Sequence, residues 1–118
     1  MMLAEKERKI ITLPVSKTTQ ARSLAIAATN YLKSGNIVHL TCIGVATNYI
    51  ATKAIIFIKA SLATIGYNLI FTPIFYEFSI KEPTDGTAIK TGIRWILSLD
   101  DYNRCMVTSS YSKDNTQN

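Results

Sequence analysis

The chain has 118 residues, 47% of them hydrophobic and 18% charged, with thirteen Lys and Arg against eight Asp and Glu, a net charge of +5. This length suits one domain with a core of its own plus a tail, and the apolar fraction is that of a globular protein. The two cysteines, Cys42 and Cys105, form neither a CxxC nor a metal-spaced cluster, which excludes a disulfide framework or zinc module and points to a reducing compartment.

Residues 1–9 read as an N-terminal arm. Ile10-Ile11-Thr12-Leu13-Pro14-Val15 reads as a short strand, with Pro14 marking an edge or an end. Ser16 to Thr19 form a polar loop whose side chains are expected to cap a helix from about Gln20 to Lys33. In that helix Ala21, Leu24, Ala25, Ala28 and Leu32 follow the helical period, and Gly35 ends it. Ile37 to Ile43 reads as a buried strand ending at Gly44. A second helix is expected over about Thr47 to Ala63, with Ile50, Ala51, Ala54, Ile55, Ile58 and Leu62 facing inward and Gly66 closing it. Leu69 to Ile80 reads as a long strand interrupted at Pro73, followed by a hairpin tip at Asp85-Gly86. Thr87 to Leu99 alternates, with Ile89, Thr91, Ile93, Trp95 and Leu97 on one face and Lys90, Gly92, Arg94 and Ser98 on the other. Residues 101–118 form a polar C-terminal extension, and 10–100 form the domain.

This βαβαββ order implies an α+β, two-layer sandwich, with two helices on one face of a four-stranded mixed sheet and its first two strands parallel. Ser34 to Thr52 and Ala60 to Tyr76 carry no formal charge, yet their Gly, Asn, Thr, His and Pro content argues against a membrane span. An obligatory partner covering apolar surface accounts for such runs better. Glu5 and Glu7 interrupt the basic N-terminus, so neither a secretory signal nor an organellar presequence is read there.

The charges are segregated. Seven bases (Arg8, Lys9, Lys17, Arg22, Lys33, Lys53 and Lys59) and no acid lie between Arg8 and Tyr76. Uncompensated positive charge attracts polyanions, above all phosphate backbones, although a simple solubilising excess leaves the same pattern. No residue pattern supports catalysis, a cofactor or a metal: the single histidine, His39, sits in a strand and reads as structural, and Asp100-Asp101 reads as a solvated strand terminus. Lys17, in the loop before the first helix, and Arg22, in its first turns, can hold a phosphate together with exposed helix amides. Lys90 and Arg94 share a strand face, free to meet phosphate unless they pair with Glu77 or Glu82. Phe71, Phe75, Tyr76, Phe78 and Trp95 are either core or interface residues, or rings on which single-stranded bases stack.

Several stretches carry a family resemblance: Ile43-Gly44 with Lys53-Ala54 and Lys59, Asn68-Leu69-Ile70-Phe71-Thr72-Pro73-Ile74-Phe75, and Thr87-Ala88-Ile89-Lys90. Over about Val15 to Trp95 the chain resembles the stage V sporulation protein S family, a branch of the Alba-like superfamily of small nucleic-acid-binding proteins. The resemblance implies an Alba-like fold, a homodimer, Lys53 as a binding residue, and a hairpin arm reaching toward nucleic acid with Lys81 at its tip. The hairpin here is longer than the family's and holds Pro83.

The expected function is therefore non-catalytic nucleic-acid binding through phosphate backbones by Lys17, Arg22, Lys53, Lys81, Lys90 and Arg94. A polar tail orders only against a partner, so RNA is favoured over DNA, with a ribonucleoprotein or organellar ribosome as the setting. The alternatives are a protein–protein module of a large assembly that has lost nucleic-acid binding, and a bacterial developmental regulator. The compartment is the cytoplasm or an organellar matrix, the mitochondrial one included.

Overall fold

Six elements follow one another in the computed structural model, which describes residues 8–82 and 86–100. They are β1 (Ile10–Pro14), α1 (Ala21–Lys33), β2 (Ile37–Cys42), α2 (Val45–Ala63), β3 (Leu69–Glu82) and β4 (Gly86–Leu99). The four strands form one sheet in the order β1-β2-β4-β3, with β1 parallel to β2 and both other pairs antiparallel. The architecture is the expected α+β sandwich. The expected N-terminal arm (but for residues 8 and 9), the C-terminal extension, and Pro83, Thr84 and Asp85 at the hairpin tip lie outside the described residues.

Strand periodicity decides which residues enter the core. In β2, Val38, Leu40 and Cys42 are buried, while Ile37, His39 and Thr41 turn to the opposite face. The helices complete the core with Leu24, Ala25, Ala28 and Leu32 from α1 and Ala51, Ala54, Ile55, Ile58 and Leu62 from α2. Four of these are alanines, and small side chains on facing stripes let the two helices lie close together. Thr47 is buried as well, because its hydroxyl donates to the Ile43 carbonyl at 2.8 Å and so loses little by leaving water.

Between β2 and α2 the backbone at Gly44 takes φ 91°, a conformation that favours glycine. Its carbonyl accepts a bond from Asn48 Nδ2 at 2.8 Å. Asn48 Oδ1 in turn accepts the Trp95 indole N–H at 3.3 Å. One amide side chain thus ties the turn and the start of α2 to the middle of β4.

Two local expectations are corrected. Pro73 does not interrupt β3, which continues through it opposite Trp95. β3 is an edge strand, where a missing N–H costs no ladder bond if it faces outward. The Ser16–Thr19 loop does not cap α1: the N-cap is Gln20, without a side-chain bond, and the loop hydroxyls bond within the loop instead. Pro14 marks both an edge strand and its end, as expected.

Strand length then shapes the molecule. β2 ends opposite Ile93, whereas β3 and β4 remain paired from Tyr76↔Gly92 to Glu82↔Gly86. Those seven pairs form a two-stranded arm running about 20 Å past the end of β2, at roughly 3.3 Å per residue. At the base of the arm a β-carbon on Gly92 would clash with the Cys42 carbonyl oxygen and stand 3.1 Å from the Phe78 ring. Gly92→Ala should therefore destabilise the fold by about 1–3 kcal/mol, the usual cost of overpacking, seen as a lower urea midpoint with the slope unchanged.

Cys42 is 1% exposed, and burial pushes its thiol up to about 11, partly opposed by a hydrogen bond with Thr47. The folded thiol keeps its proton where the unfolded one, near 9.0, has lost it. The stability contributed is complete below pH 9.0 and is lost as pH rises toward 11. Cys42→Ala should flatten that alkaline decline, read from urea midpoints across the same range.

Candidate nucleic-acid interface

Both helices pack on one face of the sheet and leave the other without a covering element among the described residues. Strand pairing builds this open face in rows. Ile10, Ile37, Ser98 and Ile70 form the first, then Thr12, His39, Ile96 and Thr72, then Pro14, Thr41, Arg94 and Ile74. Beyond the end of β2 it continues with Gly92 beside Tyr76, and then Lys90 beside Phe78. It changes along its length from isoleucine-rich to aromatic and cationic, and no carboxylate lies on it from Leu69 to Phe78 of β3 or from Lys90 to Leu99 of β4; the backbone of Glu82, opposite Gly86, takes a position on the same face farther out along the arm.

The aromatic end is ordered. Tyr76 and Phe78 stack with ring centroids 5.0 Å apart and planes 25° from parallel. The Arg94 guanidinium lies 3.9 Å from the Tyr76 centroid. Arg94 faces Ile74 and Phe78 faces Lys90 across the pairing, so Arg94 and Phe78 flank Tyr76 in a short column. The Nε of Arg94 is buried without a hydrogen-bond partner. This donor is held by ring contact and cross-strand packing, not by an acceptor.

The six site residues expected from sequence divide into groups. Lys90 is exposed on the arm and shares the open face with half-buried Arg94, as alternation predicts. Lys17 is exposed in the β1–α1 loop, at the same end of the sheet as the arm. Arg22, exposed on α1, lies 4.5 Å from the centroid of Phe57 on α2, and Lys53, exposed on α2, lies 4.9 Å from that of Tyr49. Arg22 and Lys53 thus belong to the helical layer, so the six do not form one patch. Of Lys81 only the backbone is described, opposite Thr87. Glu77 pairs with Thr91 and so sits on the face opposite Lys90 and Arg94, which removes it as their cross-hairpin partner; the Glu82 side chain lies outside the described residues.

The aromatics also separate. Trp95 turns inward to Asn48. Phe71 and Phe75 point to the helical side of β3 yet remain exposed, Phe75 at 81%, because the helices do not extend over this edge. Phe75 lines an open groove of about 510 Å³ with Val45, Tyr49, Thr52 and Ile93. The Arg94–Tyr76–Phe78 column was not singled out from sequence, although counting strand parity straight through Pro73 places all three on one face.

Residues 11–96 match the family model of stage V sporulation protein S (SpoVS). The chain belongs to this family. No curated protein matches it. Among solved structures it is similar to a precorrin 8W decarboxylase of Methanobacterium thermoautotrophicum, at 18% identity and a TM-score of 0.37, over 81% of this chain. The chain spans about half the length of that protein (48%), and at such a distance the likeness bears on neither site nor function.

Among the described residues no helix of this family member is long and apolar enough to cross a membrane, and no cluster of three His, Cys, Asp or Glu is placed to hold a metal. His39 is half-buried on the open face, where burial, and secondarily the positive charge of Arg94, hold its pKa below the usual 6.5. The folded imidazole stays neutral where the unfolded one takes a proton, so its contribution to stability is present above pH 6.5 and is lost as pH falls below it. His39→Gln should reduce the loss of thermal stability on mild acidification, and an unchanged pH profile would show that His39 does not carry it.

Proposed function

We propose that this SpoVS-family protein is a non-catalytic nucleic-acid-binding protein that contacts phosphate backbones. The observation that carries this reading is the set of cations seated on aromatic rings. Arg94 lies on Tyr76, Arg22 on Phe57 and Lys53 on Tyr49. A cation on a ring is positioned without being neutralised, so its charge stays available to a phosphate. Lys17 and Lys90, both exposed at the arm end of the sheet, add further positive charge there. Few side chains are placed for bidentate readout of base edges, so backbone contacts dominate and sequence preference is weak.

Within this reading RNA is the preferred partner, in a ribonucleoprotein or organellar ribosome, and the protein acts as a homodimer or assembly subunit. A second reading follows from the family itself: a regulator of a developmental process such as sporulation, which is compatible with binding nucleic acid. A third is a protein–protein module without nucleic-acid affinity, favoured by the exposed apolar groove at Val45, Tyr49 and Phe75.

Fluorescence anisotropy with a labelled polynucleotide, titrated at several salt concentrations, tests the proposal. Affinity should fall steeply as salt rises. Lys17→Glu combined with Lys90→Glu should weaken binding and lower the slope of log K against log salt by about 1.4–1.8, the contribution of two lost phosphate contacts. Absence of binding at low salt favours the protein–protein module, and full binding by the double variant moves the contact elsewhere on the surface.

A further inference from the structure

We infer that the open sheet face at the base of the arm binds single-stranded nucleic acid, with a base joining the Arg94–Tyr76–Phe78 column at its Phe78 end and Lys90 meeting the adjoining phosphate. This rests on the proposed function and specifies which nucleic acid the site takes and where.

The geometry restricts the occupant. Tyr76 is flanked by the Arg94 guanidinium at 3.9 Å and the Phe78 ring at 5.0 Å, so among the described side chains the stack ends at Phe78. Phe78 is half-buried, leaning back over Gly92, where a β-carbon would lie 3.1 Å from the ring. Gly92 thus provides a seat that no other residue leaves open. Lys90, directly across from Phe78, is exposed. A flat aromatic surface with an exposed ammonium beside it complements a nucleotide, a flat ring attached to an anion.

The rest of the face extends the match. Beside Arg94 stands the hydroxyl of Thr41, and in the next row stand the hydroxyl of Thr72 and the neutral imidazole of His39, which can donate or accept hydrogen bonds at unpaired base edges. No carboxylate lies in the rows of this face from Ile70 to Phe78. A duplex hides its bases in its own stack and can offer this column only its backbone or groove edge. A single strand offers both ring and charge.

The experiment compares a labelled single-stranded oligonucleotide with a duplex of equal length, using the full chain and anisotropy at low salt. The variant is Tyr76→Leu with Phe78→Leu, which keeps apolar bulk on the strand, with circular dichroism and thermal melting as the folding check. The variant should lose single-strand affinity by about ten- to hundredfold, the loss of one stacked base, with duplex affinity changing by less than about twofold. Tyr76→Phe should retain single-strand binding. Equal losses for both ligands, or none for the single strand, overturn the inference. So does a parent protein that binds duplex alone, an outcome that leaves the proposed function standing. If the parent binds neither ligand, both fall. If the double variant changes the oligomeric state by light scattering while single-strand affinity is unchanged, the face is a protein interface and the inference is overturned.

Discussion

The shortness of β2 governs this molecule. Its six residues are buried on one face and bounded by Gly35 and Gly44, both in backbone conformations that favour glycine. The turn at Gly44 redirects the chain into α2 before β2 can follow its 14-residue neighbour β4 to the end. The remainder of β4 has only β3 to pair with, and a two-stranded ribbon leaves the sheet. An isolated hairpin is marginal in water, so the arm depends on its base. That base is where the Cys42 carbonyl presses on Gly92 and where Asn48 ties Trp95 to the Gly44 turn. The constraint that ends β2 therefore also anchors what projects beyond it.

The same constraint divides the surface in two. Both helices lie on one face because each follows a strand of the parallel pair and returns over the same side, so the sheet has an open face by topology. α2 covers β2 and part of β3 but not the β3 edge, which leaves Phe75 and Val45 facing a groove. On the open face the cations Arg94 and Lys90 and the rings of Tyr76 and Phe78 lie toward the arm, while Ile10, Ile37 and Ile70 gather at the other end. An apolar groove on one side and a mixed open face on the other are different surfaces, suited to different partners.

Much of this was legible in the sequence because helix and strand periods carry the information. Of the stripe Ala21, Leu24, Ala25, Ala28 and Leu32 that the helical period predicts in α1, the last four are buried and Ala21 is partly so, and β4 alternates as its residues imply. What failed did so for local reasons. Reading Pro73 as a break resets the parity count in β3, and with it the face assigned to every aromatic beyond that point. Only knowing that β3 is an edge strand removes the difficulty, and strand order is a tertiary property. Ser16, Thr18 and Thr19 are good capping residues, but their hydroxyls found partners in one another. The contact between Arg22 and Phe57 joins two helices and leaves no trace in spacing along either one.

That last contact bears on why a segment without acids would retain so many bases. A lysine or arginine held by a carboxylate is ordered and neutralised together, and a phosphate must first displace the carboxylate. A cation on a ring face is ordered by an interaction of about 0.5–1 kcal/mol at an exposed site and keeps its full charge toward solvent. The guanidinium of Arg94 goes further: one side rests on Tyr76, its Nε is buried without an acceptor, and what remains accessible can face outward. Exchanging a carboxylate partner for an aromatic one lowers the entropic cost of fixing a long side chain while leaving its field uncancelled. Between Arg8 and Tyr76 the sequence supplies aromatic residues and no Asp or Glu. The fold seats Arg22, Lys53 and Arg94 on those rings. A charge excess serving solubility alone would not need its cations positioned, which is why the ring contacts, more than the net charge, favour a bound polyanion.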